Sequence, residues 1–224
     1  MNARAVRIAV QGGELEGDLT TPEHAAGIVL FAHGSGSSRH SHRNIYVARG
    51  LQHAGLATLL FDLLLEREAI EDERTGVYRF DIGLLAARLI DATHWTRNDP
   101  ATAALPIGYF GASTGAAAAL VAAATEQDIA AIVSRGGRPD LAGSALPVVR
   151  APTLLIVGGN DELVIDLNRQ ALQLLGSVHK DLVIVPGATH LFEEPGALDQ
   201  VIRLATEWFL RHVGTREKER FARR

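Results

Sequence analysis

Cysteine is absent from all 224 residues. That one absence excludes disulfide bracing, a thiolate nucleophile and cysteine zinc sites together, and it fits a reducing compartment. A surplus of basic charge is also lacking. Net charge is −4 and no basic face stands out, so neither nucleic acid nor an anionic membrane surface is expected as a partner. No apolar run reaches membrane-spanning length. The start, Met1-Asn2-Ala3-Arg4-Ala5-Val6-Arg7, has no apolar core of signal-peptide length. Repeats and proline-rich linkers are missing as well. What is present is a chain with 47% hydrophobic residues, enough for the substantial core of one ordinary domain. The expectation is a soluble, cytoplasmic protein with a single domain over 1–213 and a frayed, positively charged tail over 214–224.

Apolar runs alternate with helical patterns almost from end to end. Strands are predicted at Val6–Val10, Glu14–Thr20, Gly27–Ala32, Ala57–Phe61, Leu105–Phe110, Ala131–Ser134, Thr153–Val157 and Leu182–Val185. Gly12-Gly13 separates the first two, which predicts an antiparallel hairpin. The later runs are short, continuous and rich in Val, Ile and Leu, as suits parallel strands covered on both faces. Helices are predicted between them at Asn44–His53, Asp81–Trp95, Ala116–Glu126, Asp166–Leu175 and Ala197–Val213. The order implies a mostly parallel, doubly wound sheet with right-handed crossovers. The segment Glu66–Arg74 reads only as charge-rich.

One turn carries chemistry. Gly111-Ala112-Ser113-Thr114-Gly115 reads G-x-S-x-G between a strand and an alanine-rich helix, the pattern of a nucleophile elbow. Such a turn strains the backbone at Ser113 and needs very small residues around it. The start of the following helix also sets N–H groups beside the serine Oγ.

A serine hydroxyl needs a base, and the base needs a third group to fix its tautomer. Downstream, Gly158-Gly159-Asn160-Asp161-Glu162 follows one predicted strand and Pro186-Gly187-Ala188-Thr189-His190 follows the last. Ser113, Asp161 and His190 thus all fall at strand carboxyl ends, where open α/β sheets place their sites. Taken alone, Asp161 could be a helix N-cap and His190 a surface histidine; their order and placement together favour catalysis. Asp166 falls where the next helix is predicted to begin, so a capping role is expected for it. A Gly/Ser-rich loop, His33-Gly34-Ser35-Gly36-Ser37-Ser38, follows the third strand. Backbone N–H groups of Ser35 and Thr114 are expected to form an oxyanion hole. The loop lacks the Gly-Lys-Ser/Thr of a phosphate cradle and a third glycine at dinucleotide spacing.

Other residues leave alternatives open. His33 stands beside the proposed hole and either contacts substrate or braces the loop. His40 and His42 have no accompanying carboxylate or third histidine, so no metal is expected. Arg135-Gly136-Gly137-Arg138 is either a tight turn or a place for Arg135 and Arg138 to hold an anionic substrate.

These motifs resemble the α/β-hydrolase superfamily and, within it, the dienelactone hydrolase-like group. The resemblance rests on His33-Gly34-Ser35-Gly36, Gly111-Ala112-Ser113-Thr114-Gly115, Gly159-Asn160-Asp161 and Gly187-Ala188-Thr189-His190. It implies an eight-stranded sheet and a Ser-His-Asp triad of Ser113, His190 and Asp161. Dienelactone hydrolases proper have cysteine where this chain has Ser113, and serine-bearing relatives are commonly esterases. Some relatives are fused to phosphoribosyltransferase domains, of which this chain shows no sequence. Residues 135–150 are too short and too rich in Pro and Gly for a helical cap, so an open site is expected, covered only by Glu66–Tyr78 and His40–Asn44. The expected activity is cleavage of a small carboxylic ester, thioester or lactone, without a cofactor. Acyl transfer or perhydrolysis by the same triad, or a silent binding protein of this fold, are the alternatives. Oligomeric state is not readable.

Overall fold

Strands β1 (Asn2–Val10) and β2 (Gly13–Thr21) pair antiparallel, turning at Gly12 with φ +89°. Their alternating exposed and buried residues show one wet face and one packed face. The six strands that follow are β3 (Ile28–Ala32), β4 (Ala57–Phe61), β5 (Ile107–Ala112), β6 (Ala131–Arg135), β7 (Thr153–Gly158) and β8 (Lys180–Val185). All but β8 are buried throughout, as the unbroken apolar runs require. The computed structural model describes the backbone of residues 1–222 and side-chain surroundings through Val213.

The eight strands form one sheet in the order β1-β2-β4-β3-β5-β6-β7-β8, antiparallel only where β2 meets β1 and β4. Helices α1 (His42–His53) and α6 (Ala197–Ala222) cover one face. Helices α3 (Ile82–Asn98), α4 (Thr114–Thr125) and α5 (Glu162–Leu174) cover the other. This is the α/β-hydrolase fold read from the sequence. The chain winds outward in both directions from the β3–β5 pair, registered Ala32 opposite Gly111. That reversal of strand order opens a crevice above the carboxyl ends of β3 and β5.

Close approach at the crevice explains one glycine. A Cβ on Gly115, in the first turn of α4, would lie 2.1 Å from the Ala32 carbonyl oxygen and 2.5 Å from that of His33. Gly115→Ala must therefore push helix α4 off β3. Urea denaturation is expected to show a loss of about 3 kcal/mol; a loss below about 1 kcal/mol would mean that the helix slides freely.

Glu66–Arg74, which the sequence marks only as charge-rich, lies in helix α2 (Glu66–Thr75). Glu68 accepts the Leu65 N–H at 2.9 Å, and Gly76 ends the helix in the left-handed conformation. With Ala69 and Ile70 as the apolar residues of Glu66–Thr75, the helix has no apolar stripe to read along the chain, and its caps mark it. The tail expected from 214 onward is helical in backbone as far as Ala222. Residues 223–224 lie outside the described residues. Between β6 and β7 the chain makes only a 3-10 segment, Pro139–Val148, broken at Gly143, and no cap domain is inserted.

Candidate active site

Ser113 stands between β5 and α4 with φ 51° and ψ −121°. A non-glycine residue in this region costs about 1–3 kcal/mol. The turn is held by β6: the Ser113 N–H donates to the Arg135 carbonyl at 3.3 Å and the Arg138 N–H to the Ser113 carbonyl at 3.0 Å. The Ser113 hydroxyl does not cap α4 and has no hydrogen-bond partner among the described residues. The hydrogen bond to His190 that activation of the serine calls for is thus not closed in this arrangement.

The other half of the constellation is closed. His190 Nδ1 lies 2.6 Å from Asp161 Oδ2. A carboxylate only accepts, so Nδ1 carries the proton and donates it, leaving Nε2 as a proton acceptor. Asp161 occupies the N-cap position of α5, yet its side chain makes no capping bond. Its carboxylate is committed to the histidine 29 residues away. The side chain of Asp161 is 15% exposed and that of His190 39%, so the pair is shielded on the acid side and open on the histidine side. The two loops are stitched together, since Asn160 donates its N–H to Ala188 O at 2.9 Å and its amide to Gly187 O at 3.0 Å. Gly136, with φ +52°, lets the histidine loop come close: a Cβ there would sit 2.9 Å from His190 O. Glu162 is exposed at the start of α5. Asp166 lies a full turn inside that helix, exposed and paired with Arg169 at 3.1 Å. It does not cap the helix, because α5 begins four residues earlier than its apolar periodicity suggested.

The His33–Ser38 loop passes directly beside the serine, for a Cβ on Gly34 would be 3.0 Å from Ser113 Cβ. Neither the Ser35 nor the Thr114 backbone N–H is taken by an acceptor among the described residues. Thr114 is the first residue of α4, where helical N–H groups are free by geometry. His33 is buried and braces this loop. The Leu63 N–H donates to its Nε2 at 3.0 Å, which places the ring proton on Nδ1, donated to Gly34 O at 3.0 Å. Arg39, which the sequence did not single out, anchors the far end of the loop. Its N–H donates to Asp62 at 2.8 Å and its guanidinium reaches Glu16 at 2.6 Å as well as Asp62. Those partners lie on other elements, so no local pattern announces them.

Burial drives the His33 pKa below its ordinary value, against smaller opposing effects of Gly34 and Asp62. A folded-state pKa below the unfolded one means that the unfolded chain binds the extra proton. Stability is then full above about pH 6.5 and falls as pH drops through that value. The slope approaches 1.4 kcal/mol per pH unit for one group. Between pH 7 and 5 the wild type is expected to lose more Tm than His33→Gln; equal losses would show that His33 is not the group responsible.

A cavity of about 370 Å³ adjoins the loop, lined by Ser35, Ser38, Leu63, Asp72 and Arg79 among others. Residues of helix α2 and the segment after it wall this cavity. Ser113 is not among the lining residues. The wall is fixed by Asp72, which accepts from the Tyr78 and Arg79 N–H groups at 2.8 and 2.9 Å and from Arg79 Nε at 2.8 Å. Burial raises the carboxyl pKa, and these donors outweigh it and hold it below the ordinary range.

The two arginines after β6 part ways. Arg138 is engaged by Asp140 through two bonds of 2.9 and 2.7 Å. Arg135, 7% exposed, ends β6 on the α1 face and among the described residues reaches only Asn44 Oδ1, at 3.5 Å. Among the described residues no three His, Asp or Glu side chains gather to hold a metal ion, and no helix is long and apolar enough to cross a membrane.

The sequence model of the dienelactone hydrolase family matches residues 15–211. Two Mycobacterium tuberculosis proteins named "Putative phosphoribosyl transferase", from strains CDC 1551 and H37Rv, are 61% identical over 198 residues. Those residues are 88% of this chain and 44% of each relative, so the chain spans less than half the length of these curated relatives. The crystal structure of a dienelactone hydrolase from Anabaena variabilis is similar at 60% identity and TM-score 0.92, covering 94% of this chain and 98% of that one. Est1E from Butyrivibrio proteoclasticus shares the fold at 17% identity and TM-score 0.77, over 94% of this chain and 99% of its own.

Proposed function

The chain belongs to the dienelactone hydrolase family, and from that premise we propose that it is a serine hydrolase cleaving a small carboxylic ester, thioester or lactone through an acyl-enzyme on Ser113. One observation carries the reading: Asp161 forgoes the helix cap at its own position and binds His190 Nδ1 at 2.6 Å. A cap would be the cheaper local use of that carboxylate.

In this mechanism His190 Nε2 takes the proton from Ser113 Oγ as the oxygen attacks the acyl carbon. Asp161 holds the ring in the accepting tautomer and stabilises the imidazolium. The Ser35 and Thr114 N–H groups receive the carbonyl oxygen as it becomes an oxyanion; each such donor typically supplies about a hundredfold or more in rate. The imidazolium returns its proton to the leaving alcohol or thiol. Water, deprotonated by His190, then releases the acid and restores Ser113. Acyl transfer to another nucleophile would use the same acyl-enzyme. The strained φ of Ser113 and its strand-to-helix position support this role, and the name of the Anabaena variabilis relative supports ester-type chemistry. The phosphoribosyl transferase name belongs to proteins more than twice the matched length.

The test is a fluorophosphonate probe followed by peptide mass mapping. Labelling of Ser113, together with turnover of short-chain 4-nitrophenyl esters or small lactones, is expected. An unlabelled Ser113 in folded protein would remove the nucleophile and the mechanism with it.

A further inference from the structure

Every residue of the turn Arg135–Arg138 meets a segment that carries the candidate triad. The Arg135 carbonyl accepts the Ser113 N–H, and the Arg138 N–H donates to the Ser113 carbonyl. The Gly136 N–H donates at 2.8 Å to Ile156 O, on the strand β7 that leads to Asp161. A Cβ on Gly136 would sit 2.9 Å from His190 O. Gly137 is wedged between β6 and α4, for a Cβ there would lie 2.0 Å from Ser134 Oγ and 2.6 Å from Ala116 Cβ.

One side chain from α5 takes hold of this turn. Asn168, seven residues past Asp161 and so two turns along the helix, is fully buried. Its Nδ2 donates to Gly137 O at 2.9 Å and to Val164 O at 2.8 Å. Both neighbours are carbonyls, and one amide nitrogen supplies a hydrogen to each. The amide takes this orientation although its Oδ1 is then buried without a partner among the described residues, a cost that the two donated bonds must outweigh. The two bonds differ in reach. The Val164 bond stays within α5. The Gly137 bond crosses from the helix that begins at Asp161 to the turn that holds Ser113. That crossing matters because the Ser113 hydroxyl has no partner among the described residues and must meet His190 Nε2. His190 is fastened to Asp161. Whether Nε2 reaches Oγ therefore depends on how the acid-bearing helix sits against the serine turn.

We propose that Asn168 is a positioning residue for the triad: by holding Gly137 O it keeps the Ser113 turn in register with the Asp161–His190 pair. It touches no substrate and moves no proton. This inference rests on the hydrolase reading above.

Two variants of the full chain test it. Asn168→Ser keeps a hydroxyl that bonds back to Val164 O, as helical serines do, but is too short to reach Gly137. Asn168→Asp keeps the size and sets only lone pairs against both carbonyls. Thr102→Val, which deletes a buried hydroxyl bond of 2.7 Å to Thr96 O just past the end of α3, is the comparison. Each is assayed with a short-chain 4-nitrophenyl ester at a temperature where circular dichroism shows it folded. Asn168→Ser should lower kcat by about tenfold to a hundredfold with KM within about twofold of wild type, since a displacement of about 1 Å at reacting atoms costs on that order. Fluorophosphonate labelling of Ser113 should slow by a similar factor, and Asn168→Asp should lose at least as much. Amide hydrogen exchange at Ser113 and Arg138 should quicken about tenfold in Asn168→Ser and stay unchanged in Thr102→Val. Thr102→Val should lower Tm and keep kcat. A folded Asn168→Ser with wild-type kcat, or with a loss no greater than that of Thr102→Val, overturns the proposal, as does a raised KM with kcat kept. Should Asn168→Asp not fold, Asn168→Ser decides alone. If neither folds, Asn168 serves the fold and the positioning role is overturned. If the wild type neither labels nor cleaves, the hydrolase reading falls instead. The exchange rates then decide whether Asn168 holds the turn, and rates equal to wild type overturn it.

Discussion

Ser113→Ala is expected to abolish ester hydrolysis and leave the fold intact. Three groups act as a unit in such a site, so removing the nucleophile costs about as much as removing all of them, on the order of 10⁶ in kcat. The stability effect should be small. The Ser113 hydroxyl makes no hydrogen bond among the described residues, so its loss leaves nothing unpaired. Alanine must still adopt φ 51° and inherits the strain. Ser113→Gly removes that strain and should raise Tm above the alanine variant, by an amount matching about 1 kcal/mol or more. Kinetics, probe labelling and thermal melts on the same preparations check all of this. Hydrolysis persisting in purified Ser113→Ala would mean that another group attacks the ester.

Asp161→Asn should be the next most damaging change, with kcat lower by about 10⁴. The substitution is isosteric, but an amide offers N–H where the carboxylate offered only lone pairs. The amide donates to His190 Nδ1, the ring proton moves to Nε2, and the base that should accept from Ser113 is lost. Two neighbouring carboxylates provide the contrast. Glu162 and Asp166 are exposed, and Asp166 meets only Arg169 on its own helix. Asp166→Ala should change stability by less than about 0.5 kcal/mol and leave kcat in place. If Asp166→Ala or Glu162→Gln proved the slow variant, the acid would be misassigned while Ser113 and His190 stood.

Much of this architecture is visible before folding, because it follows from local rules. Unbroken Val, Ile and Leu runs specify buried parallel strands, and Gly12-Gly13 specifies the hairpin. Small residues around Ser113 specify a turn no larger residue could make, and the Ala32 carbonyl 2.1 Å from a Gly115 Cβ shows why. The chain order Ser113, Asp161, His190 sets each residue beyond a strand end, so the sequence determined the fold class and the candidate triad.

Partnership was decided only in three dimensions. Asp161 could cap its helix or hold His190, and local sequence allows both; the adjacency of β7 and β8 puts the histidine within 2.6 Å and settles the choice. Arg135 and Arg138 are indistinguishable as two arginines around Gly-Gly. The strand register turns Arg135 under α1, while the turn leaves Arg138 beside Asp140. Helix α2 was illegible because its charged surface carries no periodic apolar stripe, and its contribution is a wall built by Asp72 and Arg79. Periodicity and turn chemistry act over a few residues and can be read along the chain. Burial, ion pairing and tautomer depend on groups brought together from distant positions, and only the packed sheet supplies them.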